Sequence, residues 1–160
     1  MKVTSGQVCV RRRGFLGGMI AALAASFLGA RRARAQENIE SVVPAASEIT
    51  QGARAQSGRV RLELPLLADN GHSVLLKVTV QSPMTDADHV RGIAILSERN
   101  PRPVIARFQL GPHAGRAEIV TRVRLAGSQR VVAVATMSDG SHWYDMAEVN
   151  VTESACLDAS

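Results

Sequence analysis

Gly58-Arg59-Val60-Arg61-Leu62-Glu63-Leu64-Pro65 is the stretch that decides the fold class. Val60, Leu62 and Leu64 alternate with Arg59, Arg61 and Glu63, the pattern of a strand with one dry face and one wet face. Pro65 cannot donate to a sheet ladder and stops the run. Outward from it the same period returns. After the turn residues Asp69-Asn70-Gly71, Val74, Leu76, Val78 and Val80 alternate with Leu75, Lys77 and Thr79 until Ser82-Pro83. Val90 to Leu96 is a third strand, closed by Asn100-Pro101, and Val104 to Leu110 a fourth, closed by Gly111-Pro112. Arg116 to Leu125, Gln129 to Met137 (ending at Asp139-Gly140) and His142 to Val151 complete seven.

Turn signals recur about every 8–15 residues, and no helical periodicity lies between the strands. That argues against crossover helices and a parallel sheet. The predicted fold is an all-β, immunoglobulin-like antiparallel sandwich of about seven strands over residues 58–152. Ahead of it, residues 36–57 are expected to form a short helical lead-in. Pro44 suits a first turn, Ala45, Ala46, Ile49 and Thr50 continue it, and Gly52 can end it.

The chain of 160 residues carries a formal net charge of +5, which raises the question of nucleic acid or anionic membrane. The distribution of charge answers it. Lys2, Arg11, Arg12, Arg13, Arg31, Arg32 and Arg34 all fall in residues 1–35, which hold no acid. From Gln36 onward 12 basic residues face 14 acidic ones, about −2, so no basic surface for nucleic acid is expected. Five aromatic residues in the whole chain give little to stack bases on.

Residues 1–35 have the layout of a removable signal. Arg12-Arg13-Gly14-Phe15-Leu16 fits the twin-arginine pattern of two arginines, a spacer and two hydrophobes (Phe15, Leu16). An Ala/Gly-rich apolar stretch follows. Ala33-Arg34-Ala35 then places small residues where a signal peptidase reads, with cleavage expected after Ala35. The apolar stretch of about 14 residues is short of the roughly 20 that span a bilayer. Later apolar runs reach only about four or five residues, which is strand-core length. The expectation is a periplasmic protein exported by the twin-arginine route, with no membrane segment after cleavage.

Cys9 would be discarded with the signal, leaving Cys156 as the lone thiol of residues 36–160. A single cysteine in an oxidising compartment is either a free reactive thiol or an intermolecular one. It falls in a tail, residues 153–160, beyond the last strand. There it is either a swinging arm that presents covalent cargo to several partners or an incidental cysteine at a chain end. Nothing else offers chemistry. His72, His89, His113 and His142 lie in different turns or strand ends without metal-ligand spacing, and each is expected to be an exposed turn histidine. Asp86 and Asp88 are expected in turn and capping roles. No phosphate loop, nucleophile–base pair, metal site or cofactor site is expected.

Several stretches, in order, resemble the SoxY family: Gly58 to Pro65, Ala68-Asp69-Asn70-Gly71, Val78-Thr79-Val80-Gln81-Ser82-Pro83-Met84-Thr85, Ile95-Leu96-Ser97-Glu98-Arg99-Asn100-Pro101-Arg102-Pro103, and Ala133-Val134-Ala135-Thr136-Met137-Ser138-Asp139-Gly140-Ser141. The resemblance implies an immunoglobulin-like sandwich paired with a second sandwich subunit, SoxZ. It implies sulfur carriage on a C-terminal cysteine, here Cys156, during periplasmic thiosulfate oxidation. Partner enzymes would do the chemistry: a c-type haem protein joins thiosulfate to the thiol, a hydrolase releases sulfate, and a sulfane dehydrogenase oxidises the remainder. The carrier itself would not be an enzyme. The family's tail reads Gly-Gly-Cys-Gly-Gly, whereas this chain has Ser154-Ala155 before the thiol and Leu157-Asp158 after it. Leu157 adds bulk that glycine lacks. Glu153 and Asp158 place negative charge near the sulfur, which disfavours the thiolate and repels anionic thiosulfate. The other implied outcome is a SoxY-like interaction protein that has lost carriage and keeps its partner, with Cys156 in an intermolecular disulfide.

Overall fold

The computed structural model describes residues 38–153. The expected signal, with Arg12, Arg13, Phe15, Leu16, Ala33 and Ala35, lies outside the described residues, as does Cys156.

The lead-in forms two helices, α1 (Ile39–Val42) and α2 (Ala46–Thr50). Asn38 caps α1 by accepting the Glu40 N–H on its side chain at 3.1 Å. Gln51, with φ 53°, takes the left-handed position that ends α2, one residue before the Gly52 expected from sequence. Helices of one turn have no stability of their own. These two exist because Ile39, Val42, Val43 and Ala46 bury themselves on a sheet, against Ala94, Leu96, Val132, Val134 and Tyr144.

Among the described residues nine strands follow: β1 (Gln56–Ser57), β2 (Val60–Glu63), β3 (Leu67–Asn70), β4 (Val74–Val80), β5 (Val90–Ser97), β6 (Val104–Gln109), β7 (Glu118–Val123), β8 (Gln129–Met137) and β9 (His142–Glu153). They make two sheets, one in the order β1-β9-β8-β5-β6 with β3 also on β9, the other β2-β4-β7. The sheets pack face to face over one core. Val60, Leu62, Val74, Leu76, Val78 and Val80 of the smaller sheet meet Ile93, Ile95, Val131, Ala133, Ala135 and Val149 of the larger. This is the all-β, immunoglobulin-like sandwich expected.

The alternating residues read from β2 and β4 are the buried ones, apart from Leu64, which is half-buried. β8 is dry on both faces, with Val131 to Ala135 fully buried, because α1 and α2 cover the side that the smaller sheet does not. Its run of small apolar residues therefore shows no alternation.

Two strands depart from the expected seven, and both lie parallel to β9 rather than antiparallel. β1 pairs Gln56 with Trp143, and β3 pairs Leu67 with Asn150. Neither has a buried face, so neither carries a period-two signal. The segment Asp69-Asn70-Gly71 is the end of β3 followed by the start of a turn, not a turn alone. Between β1 and β3 the chain crosses to the smaller sheet as β2. Asp145 on β9 fastens that crossing: its Oδ2 accepts the Leu62 N–H at 2.8 Å and its Oδ1 the Met146 N–H at 2.9 Å.

Candidate functional site

Since Cys156 follows the last described residue by three positions, the relevant geometry is that of the place where its tail leaves the sandwich. β9 outruns β8, their ladder ending at the pair Gln129 and Val149. Residues 150–153 would otherwise have free backbone on both sides. β3 supplies one side, in the register Leu67–Asn150, Ala68–Val151 and Asn70–Glu153. The Asn150 N–H donates to the Leu66 carbonyl at 2.9 Å, and the Gly71 N–H to the Glu153 carbonyl at 2.7 Å. The Thr152 hydroxyl donates to the Asp69 carbonyl. Ser128 supplies the other side: its Oγ accepts the Val151 N–H at 2.9 Å and donates to the Val151 carbonyl at 3.3 Å. β9 is therefore held to its last described residue. A tail starting at Glu153 starts from a fixed point at one end of the sandwich, and Cys156 lies within about 10 Å of it at full chain extension.

Two adjacent leucines flank that point. Leu66 is 80% exposed and Leu67 62% exposed, the two most exposed large hydrophobics among the described residues. Sequence reading passed over them because they sit between Pro65 and a turn signal. Their signal was the want of any reason for two leucines in a loop.

The histidines do not gather. His72 is exposed in the turn after Gly71, and His113 is exposed in a short 3₁₀ turn, Pro112–Ala114. His89 is half-buried and donates from Nδ1 to the Thr85 carbonyl at 3.0 Å. His142 corrects the expectation of an exposed turn residue. It is buried, 8% exposed, on the first rung of β9 opposite Thr136, whose hydroxyl lies 3.1 Å from its Nδ1. Burial disfavours the imidazolium and holds its pKa below the ordinary 6.5, while the charge of the Asp139 carboxylate pulls the other way by less. Between that lowered pKa and about 6.5 the unfolded chain binds more protons than the folded one, so stability falls as pH drops through this interval. Thermal midpoints measured across it are expected to decline in the native chain and to stay flatter in His142→Gln.

Asp86 and Asp88 behave as turn residues. The Asp88 carbonyl accepts the Thr85 N–H at 3.0 Å, and its carboxylate lies 3.9 Å from Arg59. In the same loop Met84 adopts φ 52° and buries its side chain in the inter-sheet core, which gives Ser82-Pro83-Met84 a structural part. Among the described residues no group of three or more His, Cys, Asp or Glu side chains could hold a metal ion.

Asn100 belongs to a buried polar hub that the sequence did not reveal. Gln129, 4% exposed, accepts on Oε1 from the Ser97 hydroxyl and from the Arg99 N–H at 2.9 Å. Its Nε2 donates to Asn100 Oδ1 at 3.1 Å and to the Gly127 carbonyl at 3.2 Å. Asn100 passes the connection on, accepting the Ala126 N–H at 2.9 Å and donating to the Arg124 carbonyl at 2.8 Å. The β5–β6 hairpin is thereby tied to the β7–β8 connection, at the same end of the sandwich as Ser128 and the β9 overhang.

Known proteins fall in line with this architecture. The sequence matches the family described as "Sulfur oxidation protein SoxY" over residues 28–156. Among solved structures it is similar to the sulfur carrier protein SoxY from Chlorobium limicola f thiosulfatophilum. The identity is 25%, the match covers 70% of this chain and 97% of that one, and the TM-score is 0.57. Superoxide reductases share the fold alone. That of Ignicoccus hospitalis is 18% identical, covering 59% of this chain and 80% of that one at TM-score 0.53. That of Nanoarchaeum equitans is 14% identical, covering 59% and 99% at TM-score 0.50. No curated protein matches the chain. The family match begins before the two helices, takes in both sheets and the strand that carries the tail, and ends on the cysteine itself: the chain belongs to the SoxY family.

Proposed function

We propose that this chain is a periplasmic sulfur carrier that holds thiosulfate-derived intermediates covalently on Cys156 while other proteins process them. The observation that carries the reading is the family match, which runs the length of the sandwich and reaches residue 156. The clamp on β9 supports it, because a carrier needs its thiol projected from a rigid body rather than folded into one.

The chemistry balances with the partners acting and the carrier held. The Cys156 thiol and thiosulfate form an S–S bond, releasing a proton and passing two electrons to a c-type haem protein. A hydrolase then adds water to the terminal sulfonate, releasing sulfate and two protons and leaving a persulfide on Cys156. A sulfane dehydrogenase oxidises that persulfide sulfur. The chain contributes the nucleophile and its presentation, not catalysis, and works as a heterodimer with a SoxZ-like subunit. Export runs through Arg12-Arg13-Gly14-Phe15-Leu16, so Arg12→Lys with Arg13→Lys is expected to keep the precursor in the cytoplasm, visible by fractionation.

Intact-mass spectrometry of the exported chain, incubated with thiosulfate and the three enzymes, tests the reading. A thiosulfonate or persulfide adduct that maps to the peptide holding Cys156 is the expected result. The tail Ser154-Ala155-Cys156-Leu157-Asp158 favours a second reading, since it lacks the family's glycines. In that reading the chain keeps its partner and has lost carriage. An unmodified thiol, or only a disulfide-linked species that reductant dissolves, would replace the first reading with the second.

A further inference from the structure

β6 is the terminal strand of the larger sheet, hydrogen-bonded on one side, to β5. The Leu110 N–H donates to the Arg91 carbonyl at 3.0 Å. The ladder's alternation therefore aims the amides and carbonyls of Phe108 and Ala106 at β5 and those of Arg107 and Gln109 away from it. An outward row of that kind accepts another strand unless something covers it. Among the described residues nothing does.

The two faces of this edge differ in chemistry. On the inner side Ala106 and Phe108 pack on the inter-sheet core yet stay half-buried, because no strand lies beyond them. On the outer side Arg107 and Gln109 stand over a groove of about 700 Å³ that runs across β5, β8 and β9 toward α2, where Glu48 at the far wall is the one carboxylate in a lining that also holds Arg91 and Arg107. Register explains the groove. One rung reads Gln109, Gly92, Thr136, His142 and the next Arg107, Ala94, Val134, Tyr144, so the smallest side chains form the floor beside β6. A Cβ at Gly92 would meet the Phe108 carbonyl at 3.2 Å, so a side chain there would fill the floor and press that carbonyl by a few tenths of an ångström. A bulge between Val90 and Gly92 leaves Arg91 as an extra residue and brings it into the groove lining as well. Neither Arg91 nor Arg107 has a carboxylate within ion-pair reach among the described residues, and both are exposed.

We infer that β6 is a docking edge for an extended segment of a partner protein that alternates acidic and apolar residues. Its backbone pairs with Arg107 and Gln109. Its acidic side chains fall on the groove face near Arg107 and Arg91, and its apolar ones on the inner face beside Phe108 and Ala106. The chain's own tail is not the occupant. The groove lies at the His142 end of β9, and twelve residues of strand, about 40 Å, separate that end from Glu153. Cys156 reaches only about 10 Å beyond Glu153. A partner seated here contacts neither Glu153 nor the β3 clamp, so the inference stands whether or not the thiol carries sulfur.

The test is NMR titration of the labelled full chain, at low ionic strength, with a short capped peptide alternating Asp with Val and with its Lys–Val counterpart. The Asp peptide is expected to shift the amides of residues 104–110, and the Lys peptide is not. Arg107→Glu is expected to weaken the Asp peptide about tenfold and to gain binding of the Lys peptide, a swap that loss of fold cannot produce. Arg91→Ser should weaken the Asp peptide less. Gln109→Pro, which removes an outward N–H, should weaken it with the guanidinium groups intact. Unmoved β6 amides, equal shifts from both peptides, or indifference to Arg107→Glu would each overturn the inference.

Discussion

Replacing Gln129 by alanine is expected to cost about 3 kcal/mol, read as a fall of roughly 10–15 °C in Tm for a domain of this size. The size of the effect comes from what is left behind. Ser97 is fully buried and gives its hydroxyl proton to Gln129, and the Arg99 N–H does the same. Without Oε1 the Ser97 hydroxyl loses its acceptor away from water and the half-buried Arg99 N–H loses its acceptor too, and an orphaned buried donor costs about 1–3 kcal/mol. Asn100 and the Gly127 carbonyl lose the donor on Nε2 at the same time. A hydrophobe of similar volume does not repair this, so Gln129→Leu is expected to be destabilised to a similar degree, which separates a polar network from a packing role. Gln109→Ala on the exposed β6 edge gives the comparison, expected within about 0.5 kcal/mol of the native chain. Urea or thermal unfolding measures all three, and a Gln129→Leu variant as stable as the native chain would show that the hub is dispensable.

The hub also shows where sequence reading ends. The stretch Ser97-Glu98-Arg99-Asn100-Pro101 reads as a hairpin turn, and it is one. The partner that makes Asn100 matter is Gln129, on another strand, and a contact over that separation leaves no local pattern. The strands that were legible are those with one face against the other sheet: Val60 and Leu62, then Val74 to Val80, alternate because water lies on one side of them. β3 was not legible for the opposite reason. Its one leucine, Leu67, is exposed, as is Leu66 just before it, and it is a strand only because the β9 overhang offers it a ladder. His142 was misplaced because Asp139-Gly140 next to it signals a turn. The turn is tight enough that β9 has already begun at His142, and its first rung is under cover. Cys156 lies outside the described residues, and what the fold adds near it is the clamp that holds β9 as far as Glu153.

Cys156→Ser is expected to abolish sulfur loading outright, with adduct below detection and sulfate release by the partner enzymes at background. A serine hydroxyl cannot form the S–S bond on which each later step acts, and no other cysteine occurs from Gln36 to Ser160 to take its place. Fold and partner binding should survive, since the substitution lies beyond the last clamped residue, Glu153, and unchanged thermal midpoints would confirm that the loss is chemical. The neighbours then tune what the sulfur does. Leu157→Gly removes bulk beside the thiol and widens backbone freedom, and is expected to speed loading several-fold with little change in the thiol's pKa. Asp158→Asn removes a nearby negative charge and should act through the pKa instead, raising the thiolate fraction at neutral pH and weakening the repulsion of thiosulfate. The two effects separate by ionic strength: salt screens the charge at Asp158 and leaves the bulk of Leu157 untouched, so added salt should narrow the gain from Asp158→Asn and preserve that from Leu157→Gly. Sulfur found on the chain after Cys156→Ser would place the carrying atom elsewhere and remove the reason for the tail.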